Sequence, residues 1–212
     1  MTAPFGDLAG PAAARRPLIL ASGSQARRRM LEAAGVAFSV ETAAVDEAAV
    51  RAGLIAERAT TAAAAEVLAD LKADQVARRH PSALVLGCDQ VLDCGGIWFD
   101  KPADLDRAKA QLEALSGRRH RLISAVVAYG DGRRLWHHVA AADLDMRRLS
   151  RAFVDRYLTA AGPAALQSVG AYQLEGLGAN LFDAVDGDFF TVLGMPLLPV
   201  LAFLRAQGHQ AD

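Results

Sequence analysis

In the run LILASGSQARRRM, Leu18 to Met30, four residues that read as a buried strand pass into Ser22-Gly23-Ser24 and then three consecutive arginines. Small hydroxyls and free backbone N–H groups at a helix start, joined by a guanidinium fork, make up a phosphate cradle. If the helix begins near Gln25 or Ala26, Arg27 shares a stripe with Met30, Leu31 and Ala34, while Arg28 and Arg29 are rotated off it. The alternative is a solvated basic face, with Arg28 and Glu32 as an i,i+4 pair. A second constellation lies in LGCDQVLDCGGIWFDKP. Its two apolar arms pair as a hairpin about Gly95-Gly96, which sets Asp89 opposite Lys101 within a residue. A carboxylate and an ammonium at the end of a buried strand can hold a divalent cation, activate water or neutralise phosphate, or form a structural salt bridge. Asp46 and Glu47, following another expected strand, are either further metal ligands or a solvated loop. His137 and His138 fall on one strand, face opposite sides and are poorly placed to share a metal.

The elements that must position these groups follow from pattern. Strands are expected at Pro17 to Ala21, Phe38 to Val40, Ala83 to Cys88, Leu122 to Tyr129 and Leu135 to Met146, the last two joined by Gly-Asp-Gly. Helices are expected from Arg27 to Ala34, over the alanine-rich residues 60 to 79, from Leu105 to Leu115, from Ser150 to Thr159 and after Pro196. A glycine-rich region separates the last two, from Gly162 to Gly194. Strands and helices interleave without a regular βαβ period, which implies an α/β domain with a mixed sheet. Cys88 adjoins Asp89 but faces the other side of the strand as a small buried hydrophobe.

The chain has 212 residues, 52% of them apolar, enough for one core or two small lobes sharing a sheet. Residues 1–16 read as a flexible tail and 17–208 as one domain. A net charge of −1 argues against a nucleic-acid binder, as does the lack of aromatic residues interleaved with basic ones. The two cysteines, Cys88 and Cys94, suggest neither a disulfide framework nor a zinc site and suit a reducing cytoplasm. No signal-peptide core and no run of 18 apolar residues appears, so no membrane association is expected.

LILASGSQARRRMLEAAGVAFSV, LVLGCDQV, the FDKP step, LSGRRH and GAYQLEGLGANLFDAVDGDFFTVLGMPL together, in this order, resemble the Maf proteins, nucleoside triphosphate pyrophosphatases once described as septum-formation inhibitors. The resemblance runs from about Leu18 to Arg205. It implies a two-lobed mixed-sheet fold of the Maf and inosine-triphosphatase kind, with a nucleotide in the cleft between lobes. It also implies cleavage of the α–β phosphate link with Mg or Mn, giving a nucleoside monophosphate and pyrophosphate in nucleotide house-cleaning, and a possible homodimer. By the same resemblance Asp89, Lys101 and Lys72 are catalytic, Ser22 and Arg27 bind phosphate, and Asp89 with Glu47 holds the metal. A reading of another class is a non-catalytic nucleotide-binding regulator of cell division.

Three substrate-binding positions separate branches of that family. The branch acting on dTTP and UTP has the run S-x-S-P-R-R, a threonine directly after the aspartate and a glutamine in its GAYGIQG-like segment, at places that here hold Ala26, Gln90 and Glu175. Gln90 and Glu175 resemble the branch associated with 7-methyl-GTP, which carries a bulky aromatic at the place of Ala26. A carboxylate favours guanine because it accepts from both N1–H and the exocyclic amine, whereas uracil and thymine offer one imide N–H.

Overall fold

A computed structural model describes residues 16–209, so the expected tail lies outside the described residues except for Arg16. The elements run β1 (Leu18–Ala21), α1 (Gln25–Ala33), β2 (Ser39–Val40), α2 (Glu47–Ala56), α3 (Thr61–Ala77), β3 (Leu84–Cys94), β4 (Ile97–Phe99), α4 (Leu105–Leu115), β5 (Arg119–Gly130), β6 (Arg133–Met146), α5 (Arg151–Ala161), β7 (Phe182–Asp186), α6 (Phe189–Val192) and α7 (Leu197–Ala206). Three short 3-10 stretches fill the chain between α5 and β7. Six of the helices start where short polar residues recur: Ser24, Asp46, Thr60, Asp104, Ser150 and Asp188 each accept a backbone N–H three residues on. Each such cap satisfies one donor that the helix itself cannot.

All seven strands form one mixed sheet in the order β2-β1-β3-β5-β6-β7, with β4 added to β3. β1 runs parallel to β2 and β3, and every other pairing is antiparallel. One face of β1, β3 and β5 is covered by α3, whose buried stripe consists chiefly of Ala64, Ala65, Leu68, Ala69, Ala73 and Val76. Val67 and Leu71, two of the apolar residues that mark this helix in the sequence, lie on its exposed side. The other face carries two apolar clusters. One gathers Leu20, Leu31, Leu84, Leu86, Val126 and Leu204, the other Leu92, Leu112, Leu115, Leu122, Leu144 and Leu181.

Three elements depart from the sequence pattern, each for a physical reason. β3 continues unbroken to Cys94, past the polar pair Asp89-Gln90 that interrupts its apolar run. α2 forms where a loop was expected, because its single buried side chain is Arg51 and no apolar stripe announces it. β7 hides in the glycine-rich region because it is an exposed edge strand, held by pairing to the end of β6 rather than by burial.

The feature that creates the site is a break in pairing along one edge of β3. β5 lines the other edge from Val85 to Asp93. On the near edge β1 pairs with residues 84–87 and β4 with residues 92–94, so residues 88–91 have no strand beside them. Ser22 follows β1 out of this gap, and Lys101 follows β4 out of it. Asp89 stands in the middle.

Candidate active site

Asp89 is 4% exposed and points to the α3 face. Its Oδ1 accepts from Lys72 Nζ at 2.6 Å, while its buried Oδ2 has no hydrogen-bond partner. Lys72 also meets Glu47 Oε1 at 2.8 Å, so a single ammonium ties the α2 N-terminus to β3. The lysine reaches both because α3 comes unusually close to the sheet. A Cβ on Gly87 would stand 2.2 Å from the Ala69 carbonyl oxygen and 2.6 Å from the Ala73 nitrogen, so only glycine fits beneath the helix. Gly87→Ala is therefore expected to lift α3 and lower stability by about 1–3 kcal/mol through overpacking. Thermal denaturation measures this, and an unchanged Tm would mean that the helix yields without strain.

Lys101 lies just beyond the paired part of the hairpin. β4 ends at Phe99, and Asp89 is paired with Lys72 rather than with Lys101, which forms no ion pair among the described residues. Lys101 is exposed as a residue, yet its ammonium is held below the ordinary lysine pKa. Partial burial is the main cause, followed by repulsion from Arg27 and Lys72 that outweighs attraction to Glu47 and Asp89. Three cations thus converge on the gap with fewer anions than they need, which is the electrostatic form of a polyanion site.

Arg27 sits inward on α1, as the helical stripe requires, and is 8% exposed. Its Nε donates to Gly194 O at 2.7 Å, and its Nη1 donates to Cys88 O at 2.9 Å and to Ser22 Oγ at 3.0 Å. The Cys88 carbonyl is available because the strand edge is unpaired there. Gly194 has φ +100°, a conformation costly for any residue with a Cβ. Arg27 is therefore a strut between α1, β3 and the loop before α7, and its Nη2, with no hydrogen bond among the described residues, is the edge left for a ligand. Arg28 pairs with Glu32 at 2.7 Å on the exposed side, and Arg29 is also exposed. Ala26 is half-buried on the first turn of α1 beside Arg27.

Gln90 faces away from Asp89, as alternate strand residues must. Its Nε2 donates to Ser124 Oγ at 3.0 Å, Thr191 O at 3.1 Å and Val192 O at 3.0 Å, bolting α6 to the sheet. The amide oxygen is what remains for a ligand. Glu175 is exposed in the turn before the last 3-10 stretch and makes no hydrogen bond or ion pair among the described residues. Asp46 caps α2 through Ala49 N at 3.0 Å, so its carboxylate is already engaged. Cys88 packs on the face opposite Asp89, and burial pushes its thiol up to about 11, which makes it inert.

Asp89, Lys72, Glu47, Lys101 and Arg27 thus gather around one gap. Among the described residues no three His, Cys, Asp or Glu side chains form a metal cage. Two carboxylates remain, with Asp89 Oδ2 and Glu47 Oε2 unpartnered among the described residues. That donor set fits a magnesium-like ion, which takes one or two carboxylates and completes its shell with substrate phosphate and water. Arg51 is the site neighbour that pattern reading missed. It is 7% exposed, forms an ion pair with Asp100 Oδ1 at 3.0 Å through Nε, and leaves Nη1 buried without a partner. Its spacing of four from Glu47 was the available signal.

Comparison with known proteins gives the family of the chain. A family model described as Maf-like protein matches residues 17–207. A protein of Paramagnetospirillum magneticum named nucleoside triphosphate pyrophosphatase is 60% identical over 191 residues, covering 90% of this chain and 98% of that one. A protein of Granulibacter bethesdensis with the same name is 53% identical, covering 92% and 98%. A protein of Brucella abortus named 7-methyl-GTP pyrophosphatase is 48% identical, covering 90% and 96%. With the match spanning nearly every described residue, the chain belongs to the Maf family.

Proposed function

We propose that this protein hydrolyses nucleoside triphosphates at the α–β phosphate link, releasing a nucleoside monophosphate and pyrophosphate. The observation that carries the reading is the buried Asp89 Oδ2, unpartnered in a gap lined by Lys72, Lys101 and Arg27. Lys72 orients the carboxylate through Oδ1, which leaves Oδ2 to take a proton from an attacking water. Lys101, Lys72 and the free edge of Arg27 face the charge that accumulates on the departing pyrophosphate, and Ser22 holds Arg27 in place. Mg or Mn held by Asp89 and Glu47 would neutralise the polyphosphate and help to orient it. Because Lys72 occupies Oδ1, proton transfer and metal ligation compete for Oδ2.

A nucleotide lying across the open edge of β3 meets Asp89 on one face and Gln90 on the other. We assign Gln90 and Glu175 to the base and Ala26 to the wall beside it. This favours guanine nucleotides, including 7-methyl-GTP, over UTP and dTTP. Relatives carrying the general and the methylated-substrate names both support a nucleotide substrate. No helix among the described residues is long and apolar enough to cross a membrane. Two buried free thiols suit a cytoplasmic setting.

A metal-supplemented screen of GTP, 7-methyl-GTP, UTP and dTTP, with monophosphate and pyrophosphate release measured separately, tests the reading. Release of orthophosphate in place of pyrophosphate would overturn the cleavage position. Glu175→Gln is expected to narrow the guanine preference by about 1–3 kcal/mol, the value of a charge-assisted hydrogen bond. A strong dTTP and UTP preference, unaltered by this substitution, removes Glu175 from base recognition.

A further inference from the structure

We infer that Arg51, through its ion pair with Asp100, is a positioning residue that clamps α2 and Lys101 together into a phosphate-binding geometry. The inference rests on the pyrophosphatase reading of the site. Arg51 is the one buried side chain of α2, so this helix is seated on the body mainly by two ionic links, Arg51–Asp100 at 3.0 Å and Glu47–Lys72 at 2.8 Å. Both links end on the candidate site. Asp100 immediately precedes Lys101, and Pro102 behind it is buried. The Asp100 carbonyl also accepts from Gln111 Nε2 of α4 at 2.8 Å. The segment carrying Lys101 is therefore gripped by α4 through its backbone and by α2 through its side chain.

Such a grip has work to do. Lys101 lies within electrostatic reach of Arg27 and Lys72, whose repulsion exceeds the attraction of Glu47 and Asp89. The clamp opposes that repulsion and keeps the three charges convergent before substrate arrives. Arg51 is poorly explained as a packing residue. It is a guanidinium buried to more than nine-tenths, with a single and largely exposed carboxylate partner and an Nη1 that bonds to nothing. An unbranched apolar side chain would fill the same space without a buried charge or an unpartnered Nη1.

The test is a double-mutant cycle on the full chain, read by triphosphate KM and kcat, by affinity for inorganic pyrophosphate, and by Tm. Arg51→Met is expected to keep or raise Tm while raising KM and the pyrophosphate Kd roughly 10–100-fold, the effect of misplacing a binding group by about an ångström. Asp100→Ala is expected to weaken binding similarly but to lower Tm, because it strands a buried cation. The double variant should regain Tm with binding no weaker than that of the poorer single variant. Arg51→Lys should restore part of the affinity lost in Arg51→Met. Wild-type pyrophosphate affinity in Arg51→Met, or multiplicative losses in the double variant, overturns the clamp. A wild-type chain that binds pyrophosphate but turns over no triphosphate defeats the proposed function alone, since the cycle still reads pyrophosphate affinity. A wild-type chain that neither binds pyrophosphate nor turns over triphosphate overturns both.

Discussion

Asp89→Asn is expected to lower kcat with any accepted triphosphate by about 10²–10⁴-fold, the usual worth of a positioned proton acceptor. The substitution nearly preserves shape but removes both the acceptor at Oδ2 and one of the two carboxylates proposed to hold a metal. Lys72 keeps Glu47 as a partner at 2.8 Å, so it is not left as an unpaired charge. The fold should therefore survive, with a stability loss of about 1–3 kcal/mol for a broken hydrogen bond to a charged group. Steady-state rates and thermal denaturation, measured on the same preparation, separate the two effects. Near-wild-type turnover with a folded protein would remove Asp89 from the chemistry and leave Lys72–Asp89 as a structural pair.

The second large effect is expected at Arg27, and it has two components. Arg27→Ala removes three protein hydrogen bonds and strands the carbonyls of Cys88 and Gly194, so a stability loss of about 2–4 kcal/mol is expected. It also removes the free Nη2 edge, for which a drop in kcat/KM of about 10²-fold is expected where a phosphate contact is lost in a water-poor site. Arg28→Ala should cost no more than about 0.5 kcal/mol, since its pair with Glu32 is exposed and solvent-screened. Arg29→Ala should be as mild. Equal kinetic losses from all three substitutions would mean that the site recognises general basic charge rather than one oriented guanidinium. A large Tm loss at Arg27 with unchanged kcat/KM would reduce that residue to a strut.

These two predictions differ in how they became legible. The inward direction of Arg27 follows from the spacing of Met30 and Leu31 on one short helix, and α1 obeys it. The gap in strand pairing at which Asp89 stands does not follow from local spacing. Hairpin counting brought Lys101 near the right height on β3, yet the ladder stops at Phe99, and the residue that touches Asp89 comes from α3. Lys72 was indicated by family resemblance, not by periodicity. α2 and Arg51 escaped for the same reason: pattern reading detects apolar stripes, and the side chain that docks this helix is charged.

What the amino-acid sequence by itself determined is local and repetitive: the inward stripe of α1, the strand-rich middle of the chain and the set of motifs that mark the family. Those features depend on residues a few positions apart, where helix and strand geometry dictate which side chains share a face. The tertiary structure alone decided which groups meet. Arg27 finds Gly194 167 residues away, and Lys72 finds Asp89 17 residues away because glycine and alanine let α3 sink onto β3. The open edge at residues 88–91 exists only because β1 and β4 approach β3 from opposite ends and neither reaches its middle. Such contacts are set by how packed layers fit, a property of the whole core that no short window of sequence contains.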